Sequence, residues 1–385
     1  MGFSTTVLLI TDDWVQRKLG EVAPLQRGFD LPKSEMCAGE YPVVMSNGIN
    51  GFHSEFKAKA PGVVTGRSGT IGNLFFIEKD YWPHNTALWV TDFMGNHPKF
   101  IYHLYRKVDL NRFGTGTGVP TLNRNDVHAE FVFIPNIKEQ IKISEFYTTF
   151  DKINGLYKRK TENLKLLKKA CLQQMFPNDG ETVPKIRFTG FTGDWEEAKL
   201  GDVADFKNGM NFSKEAMGHG FPFVNLQNIF GQTIVDTSSM GLAESNEQQR
   251  KEYCLKKGDV LFIRSSVKPE GVGEAAIIPY DLVDTTYSGF IIRCRMTGNF
   301  NDGFKQFMFG TEYFRSQMLN NATTSANTNI NQDSLSKMTI KFPITEEQNA
   351  IGEFFRNIDG QITVQQTKLD NLKRLKSAYL QKMFV

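Results

Sequence analysis

Cysteine is scarce in this chain, and long apolar runs are missing. The four cysteines of its 385 residues, Cys37, Cys171, Cys254 and Cys294, are scattered without any paired spacing. This distribution excludes a disulfide framework and a cysteine zinc site, and it fits reduced thiols in a cytosol. The apolar run at 7–10 is too short for a signal peptide or a bilayer span. We therefore expect a cytoplasmic protein with no membrane partner.

The patterns of common catalytic and cofactor sites are also missing. The six histidines never pair at a metal-ligand spacing, and no Gly-x-x-x-x-Gly-Lys-Ser/Thr phosphate loop occurs. The glycine-rich run 114–118 lacks the spacing of a dinucleotide-binding loop. Ile278-Pro279-Tyr280 is not the Asn/Asp-Pro-Pro-Tyr-like loop of an amino-methyltransferase. The sequence predicts that the chain is not an enzyme and binds no metal or cofactor itself.

The strongest feature that is present is an internal duplication. The repeated positions include Trp14 and Trp195, Gly28 and Gly209, Arg67 and Arg264, Gln140 and Gln348, and Phe176 and Phe384. The beginnings align at a shift of 181 residues (Trp14 to Trp195) and the ends at 208 (Phe176 to Phe384), so the second copy carries about 27 extra residues in its middle. Similar edges with divergent middles indicate one architecture that serves two different targets. A duplicated scaffold without functional meaning is the alternative.

Each copy begins with a globular part that is predicted to be rich in strands. In the first copy, apolar segments between Gly, Asn and Pro predict strands at 43–44, 62–65, 74–77, 87–90 and 131–134, and a helix at 98–106. In the second copy, the corresponding segments predict strands at 275–278 and 338–342 and one helix at 304–320. Each globular part thus ends in a strand that precedes a proline.

A long amphipathic helix is predicted after each globular part. Asn136 with Glu139, and Thr345 with Gln348, have the spacing of a capping box. Apolar residues then recur at steps of three and four, with Lys160, Gln365 and Lys376 interrupting the pattern. The predicted seam consists of Ile143, Phe146, Phe150, Ile153, Tyr157, Leu164 and Leu167 in the first helix and Phe355, Ile358, Ile362, Leu369, Leu372 and Tyr379 in the second.

Neither helix can expose such a stripe to water, so the two are predicted to pair antiparallel as a coiled coil. The copies would then be related by a pseudo-twofold axis. About 38 residues at ~1.5 Å each would give a rod of roughly 57 Å. The predicted fold class is α+β: a tandem repeat of two α/β globular domains separated by the two long helices. The alternative is that these helices are core elements of a larger globule.

Several segments resemble the specificity (S) subunits of Type I restriction–modification systems, over nearly the whole chain. The most specific is 183–203, in which a proline and Arg187-Phe188 precede Trp195 and Lys199-Leu200-Gly201. The turn 66–73 and the run 116–123 are similar to segments inside the family's target-recognition domains. The Pro-x-x-x-Glu-Gln pattern at 135–140 and 343–348 is similar to the start of the family's two conserved helices. The N-terminus lacks the Pro-x-x-Arg-Phe segment found before Trp195.

The resemblance implies both an organisation and a function. Target-recognition domains would occupy 1–135 and 178–344, and helical spacers 136–177 and 345–385. Each domain would read one half of a bipartite, gapped sequence in double-stranded DNA. Two methyltransferase (M) subunits and two restriction (R) subunits would be the partners. Those partners, and not this chain, would use S-adenosylmethionine, ATP and Mg²⁺.

The candidate DNA-binding residues are polar or basic residues on loops. The net charge of +3 neither requires nor excludes nucleic acid, so side-chain chemistry has to select them. Arg can bond guanine in a bidentate manner, Asn suits adenine, and Ser or Lys can hold phosphates. The candidates are Arg67, Ser68, Asn47, Asn85, Thr86, Arg112, Arg124, Arg264, Ser265, Ser266, Lys268, Thr285, Thr286, Asn327 and Asn329. Solvated hairpin tips, turns or surface loops are the alternative for any of them.

Three other functions stay open from the sequence. A related specificity subunit could serve a Type IIB-like complex, in which one partner chain both methylates and cleaves. The repeats could instead form a scaffold that binds proteins and no DNA. An enzyme is the third alternative, and it requires that the purified chain methylate or nick DNA alone. The sequence also gives no rule that links the candidate residues to particular bases.

Overall fold

The computed structural model describes residues 14–115, 119–324 and 327–384 and has an α+β fold. Two compact units divide the chain: the first is Met1–Lys158 with Thr367–Val385, and the second is Arg159–Gln366. Both long helices, Ile137–Gln174 and Thr345–Met383, contribute residues to both units. This division differs from the domain boundaries expected from the sequence, which remain a prediction.

The described residues of the first unit form short strands and short helices besides its parts of the two long helices. Its helices are Leu19–Val22, Pro98–Val108 and Arg124–Ala129, with 3-10 turns at Lys33–Glu35 and Leu110–Phe113. Its described strands are Val15–Lys18, Leu25–Arg27, Tyr41–Met45, Gly48–His53, Gly62–Gly66, Leu74–Ile77, Trp82–Pro83, Ala87–Val90, Gly114–Thr115, Thr121–Leu122 and Phe131–Ile134. The strands and the helix predicted in the first copy are therefore confirmed, each to within two or three residues at its ends.

The second unit repeats this order of elements. Its helices are Glu247–Glu252, Asp302–Met308, Glu312–Asn321 and Gln332–Lys337, with 3-10 turns at Leu200–Asp202, Leu226–Asn228 and Pro269–Gly271. Its described strands are Glu196–Lys199, Ala204–Asn208, Met217–Val224, Gly241–Ala243, Val260–Ile263, Ser265–Ser266, Ala275–Ile277, Thr286–Tyr287, Ile291–Met296, Thr323–Thr324, Thr328–Asn329 and Thr339–Phe342. The helix Glu247–Glu252, which has no counterpart among residues 14–115 and 119–158 of the first unit, lies in the longer middle of the second copy.

The sheet topology confirms the duplication. A four-stranded antiparallel sheet has the order Leu25–Arg27, Ala87–Val90, Gly62–Gly66, Leu74–Ile77 in the first unit. The corresponding order in the second unit is Ala204–Asn208, Ile291–Met296, Val260–Ile263, Ala275–Ile277. In both units a three-stranded sheet contains one parallel pair, at Val43 with Trp82 and at Phe223 with Thr286.

A group of aromatic rings closes the core of each unit in the same way. Phe384 stacks on Phe100 with ring centroids 5.3 Å apart, and Trp14 meets Phe384 edge to face at 6.2 Å. In the second unit Phe176 stacks on Phe304 at 5.5 Å, and Trp195 meets Phe176 at 5.8 Å. The tryptophan and phenylalanine repeated in the sequence are thus partners in one core, because the end of a long helix returns to the start of the globular part. Each such pair adds about 0.5–1.5 kcal/mol beyond its buried area.

The repeated glutamine of the Pro-x-x-x-Glu-Gln pattern joins each long helix to its globular part. Gln140 is buried; its amide donates to the Pro135 carbonyl (2.9 Å), and its oxygen accepts the His97 backbone N–H (2.9 Å). Gln348 makes the same pair of bonds, with Pro343 (2.9 Å) and Asn301 (3.1 Å). These bonds satisfy backbone groups that would otherwise be buried without a partner, which explains why the pattern occurs twice.

Within each unit, the two long helices pack antiparallel. In the first unit the ring of Tyr379 contacts Phe146 and Phe150, with centroids 5.1 and 6.1 Å away, and Lys376 pairs with Asp151. In the second unit Lys168 Nζ lies 2.6 Å from Asp359 Oδ1. Both ion pairs connect equivalent positions of the two copies, so the antiparallel arrangement expected from the sequence is present in each unit.

Eleven of the thirteen predicted seam residues are buried or half buried, and the other two, Leu167 and Tyr379, are exposed. Ile143, Phe355, Ile358 and Leu369 are buried. Those half buried are Phe146, Phe150, Ile153, Tyr157, Leu164, Ile362 and Leu372. Tyr379 is 36% exposed although its ring contacts the seam, whereas Leu167 is 48% exposed and lies on the solvent side.

The prediction for Leu167, and for Lys160 as a seam position, was therefore wrong. After Tyr157 the first long helix steps by four to Thr161, which is buried, and then by three to Leu164 and by four to Lys168. The seam follows the geometry of the helix, with polar residues at two of its places. The predicted pattern was one position too early at both places, because it included Leu167, which is apolar, in place of Lys168.

Two local predictions in the second copy were also wrong. The helix predicted at 304–320 is two helices, Asp302–Met308 and Glu312–Asn321, because the Thr311 hydroxyl accepts the Phe314 N–H (3.4 Å) and starts a new helix. Thr345 is not a cap: the helix begins at Thr345, and the Ile344 carbonyl accepts the Gln348 N–H (3.0 Å). By contrast, the Asn136 side chain does accept the Glu139 N–H (3.1 Å).

Candidate nucleic-acid interface

Arg67 is the first residue after the buried strand Gly62–Gly66 and is held on three sides. Its backbone N–H donates to the Thr86 carbonyl (2.9 Å), and its own carbonyl accepts the Leu122 N–H (2.8 Å). Its guanidinium donates to the Asn85 carbonyl at 3.5 Å. The backbone of Arg67 is therefore fixed between a turn and a short hairpin, while its side chain remains half buried at the surface.

Three arginines line the cleft beside this hairpin. The cleft measures about 440 Å³ and is lined by Arg27, Arg67 and Arg124 together with Thr121 and Asn125. Arg27 pairs with Asp30 at 3.1 Å, whereas Arg124 is exposed and makes no hydrogen bond or ion pair with any described residue. Such a concentration of guanidinium groups can bind phosphate or the acceptor edge of guanine.

His128 is hydrogen-bonded to the strand that contributes Arg27 to this cleft. Its Nε2 accepts the Leu25 backbone N–H at 2.8 Å, beside the strand that carries Arg27. Burial, and then the nearby Arg124 charge, hold the pKa of His128 below its usual range. His128 is therefore a neutral acceptor near pH 7, and the positive charge of the cleft comes from the arginines.

Arg264 occupies the equivalent place in the second unit. It follows the buried strand Val260–Ile263, its N–H donates to the Phe290 carbonyl (2.8 Å), and its carbonyl accepts the Ile330 N–H (2.9 Å). Its guanidinium donates to the Gly289 carbonyl at 3.3 Å. The same arginine site is thus built twice from sequences that otherwise differ.

The cleft beside Arg264 has a different lining. It measures about 510 Å³, and its lining includes Phe230, Val267 and Phe290 together with Lys268 and Asn327. The first unit therefore presents a cationic cleft at this edge and the second a largely apolar one. Two such surfaces suit different ligand sequences.

The other candidates in the first unit lie around the same edge. Ser68 pairs with Thr121 across an isolated bridge. Asn47 is exposed and accepts a hydrogen bond from Asn50, and Asn85 donates to Asp30. The Thr86 hydroxyl lies 3.0 Å from His84 Nδ1.

In the second unit, Ser265 pairs with Asn329 in a short strand, and the Asn329 amide donates to the Asn327 carbonyl (2.9 Å). Lys268 is exposed. Residues 116–118 and 325–326, which belong to the glycine-rich and Asn-rich runs, lie outside the described residues.

Three candidates are buried and therefore unsuited to DNA contact, and a fourth is held in an ion pair. Ser266, Thr285 and Thr286 are 6%, 2% and 0% exposed. Thr285 and Thr286 lie beside or in a buried strand at the edge of its sheet, and Ser266 lies under the turn 268–271. Arg112 is paired with Glu130 and lies over the Phe113 ring at 4.6 Å. Polar residue type alone did not distinguish these positions from the exposed ones.

Sequence reasoning missed Arg27, Val267 and Phe290. Arg27 directly precedes Gly28, which occurs in both copies, and this position next to a repeated residue could have identified it. Val267 and Phe290 carry no such signal, because residue type does not distinguish an apolar loop residue that is exposed from one that is buried.

Neither a metal site nor a membrane span is found in the part of the chain that the structure describes. Among residues 14–115, 119–324 and 327–384, no three His, Cys, Asp or Glu side chains are grouped so that they could hold a metal ion. Within the same ranges, no helix combines the length and the apolar character needed to cross a bilayer.

The fold and the site define a duplicated α+β protein in which each copy presents one loop-borne arginine beside a short hairpin. Residues 11–166 and 192–374 match the family described as Type I restriction modification DNA specificity domain. These two matches cover most of the chain, and the protein belongs to this family.

Individual relatives agree with this assignment. The chain is 24% identical over 278 residues to the Type I restriction enzyme MjaVIII specificity subunit of Methanocaldococcus jannaschii, covering 68% of this chain and 63% of that protein. It is 23% identical over 158 residues to the Type I restriction enzyme EcoprrI specificity subunit of Escherichia coli, covering 39% of each. The chain thus spans less than two thirds of the length of these relatives.

Solved structures share the fold. The S subunit of the Type I restriction–modification system of M. genitalium superposes with a TM-score of 0.62 at 15% identity, over 98% of both chains. At this level of identity, the likeness establishes a common architecture only.

Proposed function

We propose that this chain is the specificity subunit of a Type I restriction–modification complex and is not itself catalytic. It binds double-stranded DNA and recognises a bipartite, gapped sequence, with one half-site for each unit. The assignment to the family supports a DNA-reading role.

The observation that carries this proposal is the arginine site that is built twice. Arg67 and Arg264 follow equivalent strands, are fixed by equivalent backbone hydrogen bonds, and lie beside equivalent hairpins. Their surroundings differ, since one cleft is lined by arginines and the other by apolar side chains. A repeated scaffold with unlike clefts suits an asymmetric target whose two halves differ.

The proposed partners follow from the same assignment. Two methyltransferase subunits methylate adenine with S-adenosylmethionine, and two restriction subunits use ATP and Mg²⁺, while the paired long helices set the spacing between half-sites. The complex acts in the cytoplasm.

The test is to co-express the chain with its neighbouring methyltransferase gene and to map methylated adenines across the genome by single-molecule sequencing. We expect one gapped motif with two unlike halves. Cells that carry the methyltransferase gene alone are the control. Methylation without a motif, or at a continuous palindrome, contradicts the proposal.

A further inference from the structure

The second unit exposes a cluster of apolar side chains beside Arg264. This apolar patch consists of Phe230, Val267 and Phe290, whose exposed fractions are 39%, 83% and 55%. Contiguous apolar surface in contact with water is unfavourable, and on soluble proteins it marks a contact site. The patch therefore needs an occupant.

The patch is joined to the candidate interface and has a fixed floor. The backbone of Phe290 is bonded to Arg264, and Val267 follows the strand Ser265–Ser266 directly. Below the patch, a Cβ added to Gly271 would lie 2.6 Å from Ser266 Oγ and 2.7 Å from Phe230 Cε1, so these groups are closely packed. The apolar side chains thus project from a well-packed base at the edge that carries Arg264.

The first unit has polar residues at the matching places. Thr86 supplies the carbonyl that accepts the Arg67 N–H, as Phe290 does for Arg264. Thr70 stands three residues after Arg67, as Val267 stands three after Arg264, and it is exposed. The apolar residues are therefore particular to the second unit and are not part of the fold that the two units share.

The position of the patch next to the repeated arginine site favours DNA as the partner. Lys268 lines the cleft, and Arg264 directly precedes Ser265, which also lines it. Glu270 and Glu274 line the same cleft, so its charges do not select the partner, and the apolar side chains carry the argument. In the major groove of DNA, the one apolar group that marks a base is the C5-methyl of thymine.

We propose that the second unit recognises a thymine methyl group in its half-site through Val267 and Phe290. This inference rests on the proposed function as a DNA-reading subunit. It assigns a thymine methyl contact to the second unit and predicts that the first unit makes no such contact.

The test uses the full chain in complex with its methyltransferase subunit and duplexes that carry the mapped target. Each thymine of both half-sites is replaced in turn by deoxyuridine, which lacks only the methyl group, and Kd is measured. At one position we expect binding to weaken about fourfold, the ratio that burial of one methyl group gives. A half-site that contains no thymine, or no position with such a loss, overturns the inference.

Variants then assign the methyl contact to the patch. In Val267→Ser, and in Phe290→Ser as a second variant, the thymine and deoxyuridine duplexes should bind equally at that position. Both side chains are largely exposed, so these changes should leave folding intact. The control Thr70→Ala in the first unit should keep the fourfold ratio.

The outcomes separate this inference from the proposed function. If the complex prefers the mapped target but shows no methyl dependence, or keeps it in both patch variants, the inference fails, and the patch is left to a protein partner. If the complex does not prefer the mapped target over a scrambled duplex, the proposed function fails as well.

Discussion

At the scale of single residues, Arg67 and Arg264 are the side chains through which base specificity is expected to act. Each is anchored by its backbone and by one carbonyl, which leaves guanidinium donors for a base edge. A bidentate Arg–guanine contact discriminates against a wrong base by about 1–3 kcal/mol. We expect Arg67→Ala to weaken binding to the mapped target by about 5- to 150-fold and to relax one half-site only. Kd values on a panel of single-base changes provide the measurement.

The control for this change is Arg67→Lys, which keeps the charge but loses the fork of donors. It should bind non-specific DNA nearly as the unaltered chain does, while still losing preference at the same base pair. An equal loss on every sequence would instead show that Arg67 contacts only phosphates.

Arg124 is expected to contact phosphate, because it is exposed and no described residue pairs with it. Arg124→Gln should lower the slope of log K against log salt by about 0.9, the change for one lost phosphate contact. Arg112→Gln is the matched control, since Arg112 is already neutralised by Glu130 and should leave the slope unchanged. Equal slopes for the two variants would rule out a particular role for Arg124.

At the scale of secondary-structure elements, the repeated glycines show why some positions occur twice. A Cβ on Gly28 would lie 2.2 Å from the His84 carbonyl oxygen, and one on Gly209 would lie 2.2 Å from that of Ser288. We expect Gly28→Ala to lower the free energy of unfolding by about 1–3 kcal/mol, as overpacking does. Gly155→Ala is the control: no atom lies within 4 Å of its added Cβ, so this helical position should gain up to ~1 kcal/mol. Urea titration measures both.

The corrected seam leads to a second test on the long helices. Leu369 is buried, whereas Leu167 is 48% exposed. Leu369→Ala should cost about 2–5 kcal/mol of unfolding free energy, and Leu167→Ala should change it by no more than about 0.5 kcal/mol. Thermal or urea unfolding of the two variants decides, and similar losses would restore Leu167 to the seam.

These elements also show how far sequence reasoning reaches. The strands at Gly62–Gly66 and Leu74–Ile77 were predictable, because short apolar runs bounded by turn residues are typical of buried strands. The break before Thr311 was not, since the apolar residues on both sides suit one continuous helix. Nor was the burial of Thr285 and Thr286 predictable, because a polar residue in or beside a short buried strand resembles a turn residue when only sequence is considered. The equivalence of Arg67 and Arg264 was predictable from the repeat; the contrasting linings of their clefts were not.

At the scale of the whole molecule, the two arginine sites lie in different compact units and share no residue. Effects at distant sites without shared partners usually add to within about 0.3–0.5 kcal/mol. We expect the loss of binding free energy in the double variant Arg67→Ala/Arg264→Ala to equal the sum of the two single losses. Kd values for the four chains on the mapped target give the coupling energy. A larger coupling would mean that the two half-sites are recognised cooperatively.

The first unit is completed by residues 367–384, in which Met383 and Phe384 are buried and Phe384 stacks on Phe100. On the ribosome, residues 159–366 must all be synthesised before that segment appears, a delay of about 10–40 s at 5–20 residues per second. The second unit comes from one uninterrupted stretch and has no such wait. The unit that is translated first therefore finishes folding last, and until then its aromatic core lacks its final ring and depends on protection from aggregation.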